Sequence, residues 1–263
     1  MIELIKDFIS LGFYTKALFN EQNNLEITLL YHSIADINKK DDIYKINIKP
    51  NLFKSQIDLL INSGFKDILL TFDDGFDNFY NNAFPLLKEY KLNTILFVTT
   101  DFINGAMSFN HLFNPTVRVM PLSWADIREI SDSGIRIGSH TKSHSVLSSL
   151  KGRELYSEIS DSKKIIEDFI GKEVKDFAYP YGGYNSYNEY VKKIVQECGY
   201  ERAYLNIMGF NKASTEKYAL KRIRVYNNDT NFRFKMKIKG SYNWVDKTFL
   251  LQNRKLLNKT FLK

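Results

Sequence analysis

The sequence predicts an α/β fold in which about seven strands form a distorted (β/α) barrel. Short apolar segments alternate with helical segments about seven times, which is typical of a parallel sheet with crossover helices. The chain has 263 residues, the usual length of one barrel-sized domain. No internal repeat, low-complexity tract or Pro/Ser-rich linker divides it. We therefore expect a single main domain.

The predicted strands are short runs rich in apolar and β-branched residues, bounded by turn-forming or charged positions. They cover residues 25–31, 67–72, 93–99, 134–138, 176–179, 202–205 and 220–225. The predicted helices have apolar residues at helical spacing. They cover residues 51–62, 77–90, 123–131, 153–170 and 188–198.

Local signals support several of these helices. Ser123 and Asp126 have the spacing of a capping box, and Gly199 ends the last helix. Pro85 lies inside the second helix, which we predict as one element. Residues 101–121 lack clear periodicity, and an irregular stretch of this length in a compact domain is often functional.

The two ends of the chain differ from the middle. Apolar residues at helical spacing predict an N-terminal amphipathic helix within residues 1–24, followed by the main domain over residues 25–226. Residues 227–263 form a basic C-terminal extension, which carries much of the net charge of +7. Residues 232–239 alternate apolar and basic side chains. A solvated edge strand with a basic tail explains this pattern at least as well as a surface for an anionic partner.

Composition limits the environment and the class of protein. Apolar residues make up 44% and charged residues 25% of the chain, as in ordinary globular proteins. The single cysteine, Cys198, cannot form an internal disulfide. The N-terminus does not have the pattern of a signal peptide, and no apolar run is long enough to span a membrane. These features predict a cytoplasmic protein.

Two adjacent carboxylates, Asp73 and Asp74, follow the second predicted strand. Held side by side they repel each other, unless a positive charge such as a divalent metal lies nearby. Asp74 could then bind the metal while Asp73 stays free as a base. An exposed acidic turn is an equally good interpretation of this segment alone, because Asp-Gly is common in turns.

His140 and His144, two of the four histidines, follow the fourth predicted strand. Side chains four residues apart can reach the same ion from one helical turn, so metal binding is favoured over two unrelated surface histidines. Two histidines and one carboxylate with an open position form a common catalytic zinc site. Thr141 stands where the zincin motif needs Glu, so the site is not a zincin.

Two further segments follow predicted strands. Pro180, Gly182 and Gly183 predict a loop whose backbone approaches a ligand closely, and an N–H near Tyr181 could stabilise an oxyanion. An ordinary tight turn is the alternative interpretation.

His32 ends the first strand, where a lone histidine is more often structural than catalytic. His111, in the irregular stretch, is interpreted as a surface residue.

Taken together, these segments resemble the polysaccharide deacetylases, the carbohydrate esterase family 4 proteins with the NodB homology fold. The resemblance runs from about residue 25 to residue 225. Residues 71–75, Thr-Phe-Asp-Asp-Gly, are similar to the first family motif. Residues 140–144, His-Thr-Lys-Ser-His, are similar to the second, and residues 179–182, Tyr-Pro-Tyr-Gly, to the third.

Two positions depart from the family pattern. Many members have an arginine two residues before the proline of the third motif, where it braces the catalytic aspartate. Ala178 occupies that position, and Arg222 or Arg224 could substitute. Many members also have a catalytic histidine near the end of the domain, which this chain lacks. His32 instead resembles the first-placed histidine of a rearranged branch that includes the poly-N-acetylglucosamine deacetylases.

The resemblance implies metal-dependent hydrolysis of the N-acyl amide of an amino sugar, in a glycan or a glycan precursor. It implies that Asp74, His140 and His144 bind a divalent metal, with Zn²⁺ preferred and Co²⁺, Ni²⁺ or Fe²⁺ as alternatives. Asp73 would act as the base and His32 as the acid that protonates the departing amine. Since these roles need Asp73 ionised and His32 charged together, a bell-shaped pH profile is expected.

The resemblance also implies that Pro180, Tyr181 and Gly182 contact the substrate and the oxyanion. The implied partner is an N-acylated glycan or a lipid-linked sugar. The basic, apolar tail and the N-terminal helix suggest peripheral contact with an anionic membrane at its inner face. We expect no nucleic-acid partner, because that role would rest on the basic tail alone.

Two alternatives remain. A non-catalytic glycan-binding member of the same fold would explain the missing arginine. A phosphatase with an aspartate nucleophile is a weaker alternative, because that chemistry uses Asp-x-Asp whereas Asp73 and Asp74 are adjacent.

Overall fold

The computed structural model describes residues 10–12, 25–65 and 68–242. Of the predicted N-terminal helix, only residues 10–12 fall within this part, and they are helical. The rest of that helix and the tail beyond residue 242 lie outside the described residues. The predictions for both therefore remain predictions.

Ten strands lie in the described part of the chain. They are β1 Leu25–Tyr31, β2 Ser33–Ile34, β3 Asn47–Ile48, β4 Ile68–Phe72, β5 Thr94–Val98, β6 Arg136–Ser139, β7 Asp176–Ala178, β8 Arg202–Tyr204, β9 Asn211–Lys212 and β10 Ile223–Arg224. Seven of them form one parallel sheet in the spatial order β10-β1-β4-β5-β6-β7-β8, and β9 pairs antiparallel with β1. The seven strands of this parallel sheet match the seven predicted strands.

Backbone hydrogen bonds join the two ends of this strand order. Leu220, just before β10, donates to Ala203 O at 2.9 Å, and Leu205 N donates to Leu220 O at 2.7 Å. A small apolar cluster that includes Phe97, Ala178 and Leu220 is separate from the main core. The prediction of a distorted barrel is confirmed.

Eight α-helices lie in the described part. They are α1 Pro50–Asn62, α2 Asn78–Asn82, α3 Phe84–Glu89, α4 Thr100–Ile103, α5 Trp124–Asp132, α6 Gly152–Ile170, α7 Glu189–Glu197 and α8 Asn231–Ile238. The capping box is present, since Ser123 and Asp126 exchange side-chain and backbone hydrogen bonds at the start of α5. The main core lies between the sheet and these helices.

The predicted helix over residues 77–90 is divided into α2 and α3. Pro85 occupies the first turn of α3, where its missing N–H is not needed. In the middle of a continuous helix the same ring would clash with the preceding turn. The prediction of one helix was wrong because it gave the apolar spacing more weight than Pro85.

The segment over residues 232–239 is a helix, α8, and not an edge strand. Thr230 caps its start by accepting a hydrogen bond from Arg233 N. Phe234 and Ile238, four residues apart, are buried on one face of the helix. Lys237 is also buried, and its ammonium group lies 2.5 Å from Asp229 Oδ2. Because Asp229 pairs with its charge, Lys237 can be buried, so the basic residues of this segment do not all lie on a solvent-exposed face.

Residues 101–121 are less irregular than their sequence indicates. They contain α4, a 3-10 turn over Asn110–Leu112 and two isolated bridges, which pair Phe113 with Asp42 and Pro121 with Phe76.

No helix within residues 10–12, 25–65 and 68–242 is long and apolar enough to span a bilayer.

Candidate active site

The predicted site residues lie at the end of the barrel where the parallel strands terminate. His32 directly follows β1, and His140 directly follows β6. Asp73 and Asp74 follow β4 in the same way. Loops at the carboxyl ends of parallel strands converge on one mouth, so residues far apart in the chain become neighbours there.

Asp74, His140 and His144 form a compact cluster of atoms able to bind a metal. One ligand atom from each residue lies within 4.8 Å of the other two. Asp74 Oδ1 is 3.6 Å from His140 Nε2 and 3.5 Å from His144 Nε2. Two donors placed tetrahedrally at ~2.1 Å from one zinc ion are ~3.4 Å apart. The donor spacing therefore fits a small divalent cation.

The electrostatics of the cluster also fit a cation. Asp74 Oδ1 is buried and has no hydrogen-bond partner among the described residues. Burial, followed by the charge of Asp73, raises the pKa of Asp74 well above its ordinary value. Burial also lowers the pKa values of His140 and His144. A cation would favour both the ionised carboxylate and the neutral imidazoles.

A backbone carbonyl sets the orientation of the His140 ring. His140 Nδ1 is 2.8 Å from Ala178 O, and because a carbonyl only accepts, Nδ1 must carry the proton. The lone pair of Nε2 is then available on the side of Asp74. Such a contact on the far nitrogen is usual for metal-binding histidines.

The loop between His140 and His144 is fixed by Glu158 of α6. The Glu158 carboxylate accepts hydrogen bonds from Ser143 N at 2.9 Å and from Ser143 Oγ at 2.6 Å. Within the loop, Thr141 Oγ1 accepts from His144 N at 3.0 Å. These contacts hold the two imidazole rings 5.0 Å apart.

Unusual backbone conformations concentrate at the site. Six non-glycine residues in the described part have positive φ, and four of them are Asp74 (78°), Thr141 (67°), His144 (59°) and Tyr181 (63°). Such conformations cost free energy and persist only where the surroundings enforce them. Next to Asp74, Gly75 has a φ of 89°, and an added Cβ would lie 3.0 Å from the Ile103 side chain. The turn after Asp74 therefore requires glycine.

Arg222 contacts Asp73 through both nitrogens at the end of its guanidinium group. Nη1 donates to Asp73 Oδ1 and Nη2 donates to Oδ2, each at 2.7 Å. The remaining donors bind Leu205 O and Thr71 Oγ1. Burial would raise the pKa of Asp73, but the charge of Arg222 and its hydrogen bonds outweigh burial and lower the pKa to about 2. Asp73 is therefore ionised at neutral pH.

Arg224, the other predicted candidate for this contact, lies elsewhere. Its Nη2 donates to Tyr44 O at 2.9 Å and to Lys45 O at 3.3 Å. Its guanidinium carbon is 4.9 Å from the centre of the Tyr226 ring. Of the two arginines, the one that pairs with Asp73 is Arg222.

The charged residues of this centre act on the protonation of His32. Burial lowers its pKa to about 3, and the charges of Arg224 and Arg222 act in the same direction, against the opposing effect of Asp73. The expectation of a positively charged His32 beside ionised Asp73 stays a prediction, and burial of the imidazole opposes that charge.

The loop after β7 places Tyr181 beside His144. Their ring centres are 4.9 Å apart, and Tyr181 is 57% exposed. Gly182 N donates to Pro180 O at 2.7 Å, whereas Tyr181 N has no acceptor among the described residues. At Gly182 an added Cβ would lie 2.4 Å from Asn206 N, so only glycine fits. The Tyr181 N–H is therefore an amide of this loop that a ligand could accept from.

The comparison with protein families agrees with this geometry. The family described as polysaccharide deacetylase matches residues 61–203, which is more than half of the chain.

The chain belongs to the polysaccharide deacetylase family.

Individual relatives support this assignment. The polysaccharide deacetylase-like protein YxkH of Bacillus subtilis is 31% identical over 160 residues, covering 61% of this chain and 52% of YxkH. The poly-beta-1,6-N-acetyl-D-glucosamine N-deacetylase of Staphylococcus aureus is 27% identical over 126 residues, covering 44% of this chain and 41% of that protein. The chain spans about half the length of the curated relatives it matches.

A solved structure shows the same fold. The deacetylase PplD of Streptococcus pyogenes, determined in complex with acetate, superposes with a TM-score of 0.69 at 22% identity, covering 81% of this chain and 97% of PplD. The matched region therefore takes in nearly the whole of PplD.

Some residues of this candidate site gave no signal in the sequence. Glu158 and Phe109 lie in segments without a motif, and the contribution of Ala178 is made by its backbone. His111, interpreted as a surface residue, is exposed as expected, but its ring centre is 6.3 Å from that of Phe109, which in turn is 5.0 Å from His144. Only the folded chain reveals these contacts.

Proposed function

We propose that the chain is a metal-dependent N-deacetylase that hydrolyses the N-acyl amide of an amino sugar in a glycan or glycan precursor. One observation carries the proposal. The partnerless Asp74 Oδ1 lies 3.6 and 3.5 Å from the nitrogens of His140 and His144, and His140 Nε2 is 3.9 Å from the ionised Asp73. A cation-binding cluster beside a free carboxylate is what metal-assisted hydrolysis requires.

We assign Asp74, His140 and His144 as the residues that hold the metal. Two histidines and one carboxylate suit Zn²⁺, and they also accept Co²⁺, Ni²⁺ or Fe²⁺. When bound, the cation would polarise the amide carbonyl and make water more acidic. Asp74→Ala is expected to lower metal content without unfolding the chain.

Asp73 is proposed to remove a proton from the attacking water. Its low pKa keeps it ionised across the neutral range, and the two hydrogen bonds from Arg222 fix the orientation of its carboxylate. General-base catalysis of this kind contributes roughly 10²–10⁴-fold to a rate. Arg222 is a positioning residue, because the contacts described for it are with protein atoms and not with the substrate.

The Tyr181 N–H is proposed to donate a hydrogen bond to the amide oxygen as it gains negative charge. Its position next to His144 and the rigid turn formed by Pro180 and Gly182 support this role. An N–H already fixed in place needs no reorganisation during the reaction, which makes such donors effective.

His32 is proposed to deliver a proton to the departing amine. Because its pKa is lowered to about 3, His32 is neutral before the reaction. We therefore propose that it acquires the proton only after Asp73 has deprotonated the water. The water then supplies hydroxide to the acyl carbon and a proton to the nitrogen, and the carboxylic acid so formed gives its proton to the amine, so the products are a carboxylate and a protonated amino sugar.

The substrate class is proposed from the relatives. The name of the Staphylococcus aureus relative specifies an N-acetyl-D-glucosamine polymer, so an N-acetylglucosamine glycan is the first substrate to test.

A lipid-linked sugar reached at an anionic membrane surface is a second proposal, which rests on the basic tail. Liposome flotation with and without anionic lipid would test it, and equal flotation of both would contradict it.

The function is tested by measuring amine release from N-acetylglucosamine oligomers. Protein freed of metal by a chelator is compared with the same protein after addition of Zn²⁺, Co²⁺, Ni²⁺ or Fe²⁺. We expect activity only after metal addition. Binding of the oligomers without amine release, under every metal condition, would instead support the alternative of a non-catalytic glycan-binding protein.

A further inference from the structure

The end of β10 is held from both sides by hydrogen bonds. This strand, Ile223–Arg224, has only two residues and pairs with β1. Just after it, Val225 N donates to Leu30 O of β1 at 3.1 Å. The C=O and N–H of one trans peptide point in opposite directions, so the carbonyl of Arg224 faces away from β1. On that side it accepts a hydrogen bond from Lys237 Nζ of α8 at 3.0 Å.

A buried ion pair fixes Lys237 in this position. Its ammonium group lies 2.5 Å from Asp229 Oδ2, and both side chains are buried. The same carboxylate oxygen accepts a hydrogen bond from Tyr226 N at 2.8 Å. Lys237 Nζ is also 4.6 Å from the centre of the Tyr226 ring. One buried carboxylate therefore connects α8 to the segment of chain that leaves β10.

The peptide held in this way lies two residues after Arg222. The guanidinium group of Arg222 donates to both oxygens of Asp73 at 2.7 Å. A two-point contact of this kind has one planar geometry, so a small shift of β10 relative to β4 would break one of its hydrogen bonds. A strand of two residues has few backbone hydrogen bonds of its own to resist such a shift.

The stability of the fold does not by itself account for a charged pair at this place. A buried ion pair contributes little more than apolar side chains of similar volume would. Lys237 and Asp229 instead supply what apolar residues could not, since they bind the Arg224 carbonyl and the Tyr226 amide. The position of the β10 end is therefore what the pair determines.

We propose that Lys237 is a positioning residue of the active site, which holds the end of β10 and, through it, the contact between Arg222 and Asp73. The helix α8, which the sequence placed in the C-terminal extension, is then part of the catalytic unit. It lies outside residues 61–203, the part of the chain that the family matches. The inference rests on the proposed function, in which Asp73 is the base.

Three variants test the role of Lys237. Lys237→Met removes the ammonium group. Lys237→Met combined with Asp229→Asn also removes the carboxylate, so this combined variant has no unpaired buried charge. Lys235→Met is the matched control, because it makes the same change two residues earlier on α8, at a half-buried position. Thermal unfolding checks that each variant is folded, and the combined variant decides the test if Lys237→Met is not.

The kinetic measurement is amine release from an N-acetylglucosamine oligomer by protein loaded with Zn²⁺. We expect the combined variant to lose about tenfold in kcat, with KM and bound Zn²⁺ unchanged, and Lys235→Met to match wild type. In an Arg222→Lys background the two-point contact is already lost, so the same change should lower kcat by less than about twofold. An undiminished kcat, or an equal fractional loss in both backgrounds, would overturn the positioning role.

NMR separates this inference from the proposed function, because it needs no activity. Arg222 Nε donates to Leu205 O at 2.8 Å in a buried site, so its proton should exchange slowly with solvent. The reference is the amide of Leu70, a buried residue of β4 that donates to Asn93 O at 2.9 Å. Exchange at the reference measures any general loss of stability.

We expect the combined variant to speed exchange at Arg222 Nε by at least ~10-fold more than at the Leu70 amide. If that holds while the wild type releases no amine under any metal condition, the positioning contact stands and the proposed function fails. Unchanged exchange at Arg222, or an equal change at both sites, would overturn the inference whatever the activity.

Discussion

Arg222 holds Asp73 through a two-point contact between residues 149 positions apart in the chain, with both N–O distances at 2.7 Å. The two residues reach each other because β1, which pairs with β10 on one side and β4 on the other, separates their strands by a single strand. The resemblance to the family implied an arginine at position 178 for this contact, and the chain has alanine there. In this chain the guanidinium group comes from a different strand.

Replacement of Arg222 is expected to destabilise the fold and shift the pH dependence of activity. Arg222→Met leaves a buried carboxylate without its partner, which should cost ~3–5 kcal/mol in the free energy of unfolding. Arg222→Lys keeps the charge but loses the two-point contact, so the loss should be smaller. In Arg222→Lys the pKa of Asp73 should rise, and the acidic limb of activity should move to higher pH.

Urea unfolding and a pH–rate profile measure these two effects. Arg153→Met, which removes an exposed arginine, is the control and should change neither. A pH profile of Arg222→Lys identical to that of wild type would contradict the assignment of Arg222 as the residue that keeps Asp73 ionised.

Asp74→Asn is expected to stabilise the metal-free protein and to remove its stabilisation by metal. The folded-state pKa of Asp74 is raised, so its ionisation opposes folding once the pH exceeds the ordinary aspartate value of about 4. Asparagine removes that charge, and Tm of the metal-free protein at pH 7 should rise by a few degrees. Differential scanning calorimetry with and without Zn²⁺ measures both effects. A lower Tm for metal-free Asp74→Asn would show that the ionised carboxylate has a partner other than a metal.

Glu158→Ala is expected to weaken metal binding, although Glu158 is not itself in the metal-binding cluster. Its carboxylate holds Ser143, in the middle of the loop that carries both histidines. Loss of such supporting contacts typically lowers metal affinity ~10–100-fold. Glu154→Ala, an exposed position on the same helix, is the control. Zn²⁺ titration by calorimetry should separate the two variants, and equal affinities would mean that the loop keeps its shape without Glu158.

His32 is expected to remain neutral from pH 8 down to pH 5 in the metal-free protein. Its pKa is lowered to about 3, chiefly by burial. The unfolded chain takes up a proton on His32 below pH ~6.5 while the folded chain does not, so His32 makes folding less favourable as pH falls from ~6.5 towards 3. Histidine C–H resonances followed by NMR, assigned with His32→Gln, test this. Titration of His32 with a midpoint near 6.5 would contradict it.

The sequence was sufficient to predict the strands and the cluster because both follow from short-range patterns. The seven strands of the parallel sheet are apolar runs, and site residues such as Asp74 and His140 come directly after strands. Parallel strands all end at one mouth, so chain order alone indicated that these residues meet.

The errors arose where long-range contacts decide the result. The pattern of residues 232–239 gave no sign that Lys237 is buried against Asp229. Burial lowers the pKa of His32, and the charges of Arg224 and Arg222 add to this effect, which the sequence alone did not indicate. The sequence likewise left Arg222 and Arg224 equivalent, and only their contacts distinguish them.

The central claim is that Asp74 holds a metal whereas its neighbour Asp73 performs proton transfer. Metal content and amine release of Asp73→Asn and Asp74→Asn, measured side by side with wild type, test this claim most directly. We predict that Asp73→Asn keeps a full equivalent of metal and loses at least ~10²-fold in kcat, whereas Asp74→Asn loses the metal. Asp73→Asn with near-normal turnover, or Asp74→Asn with normal metal content, would contradict the account.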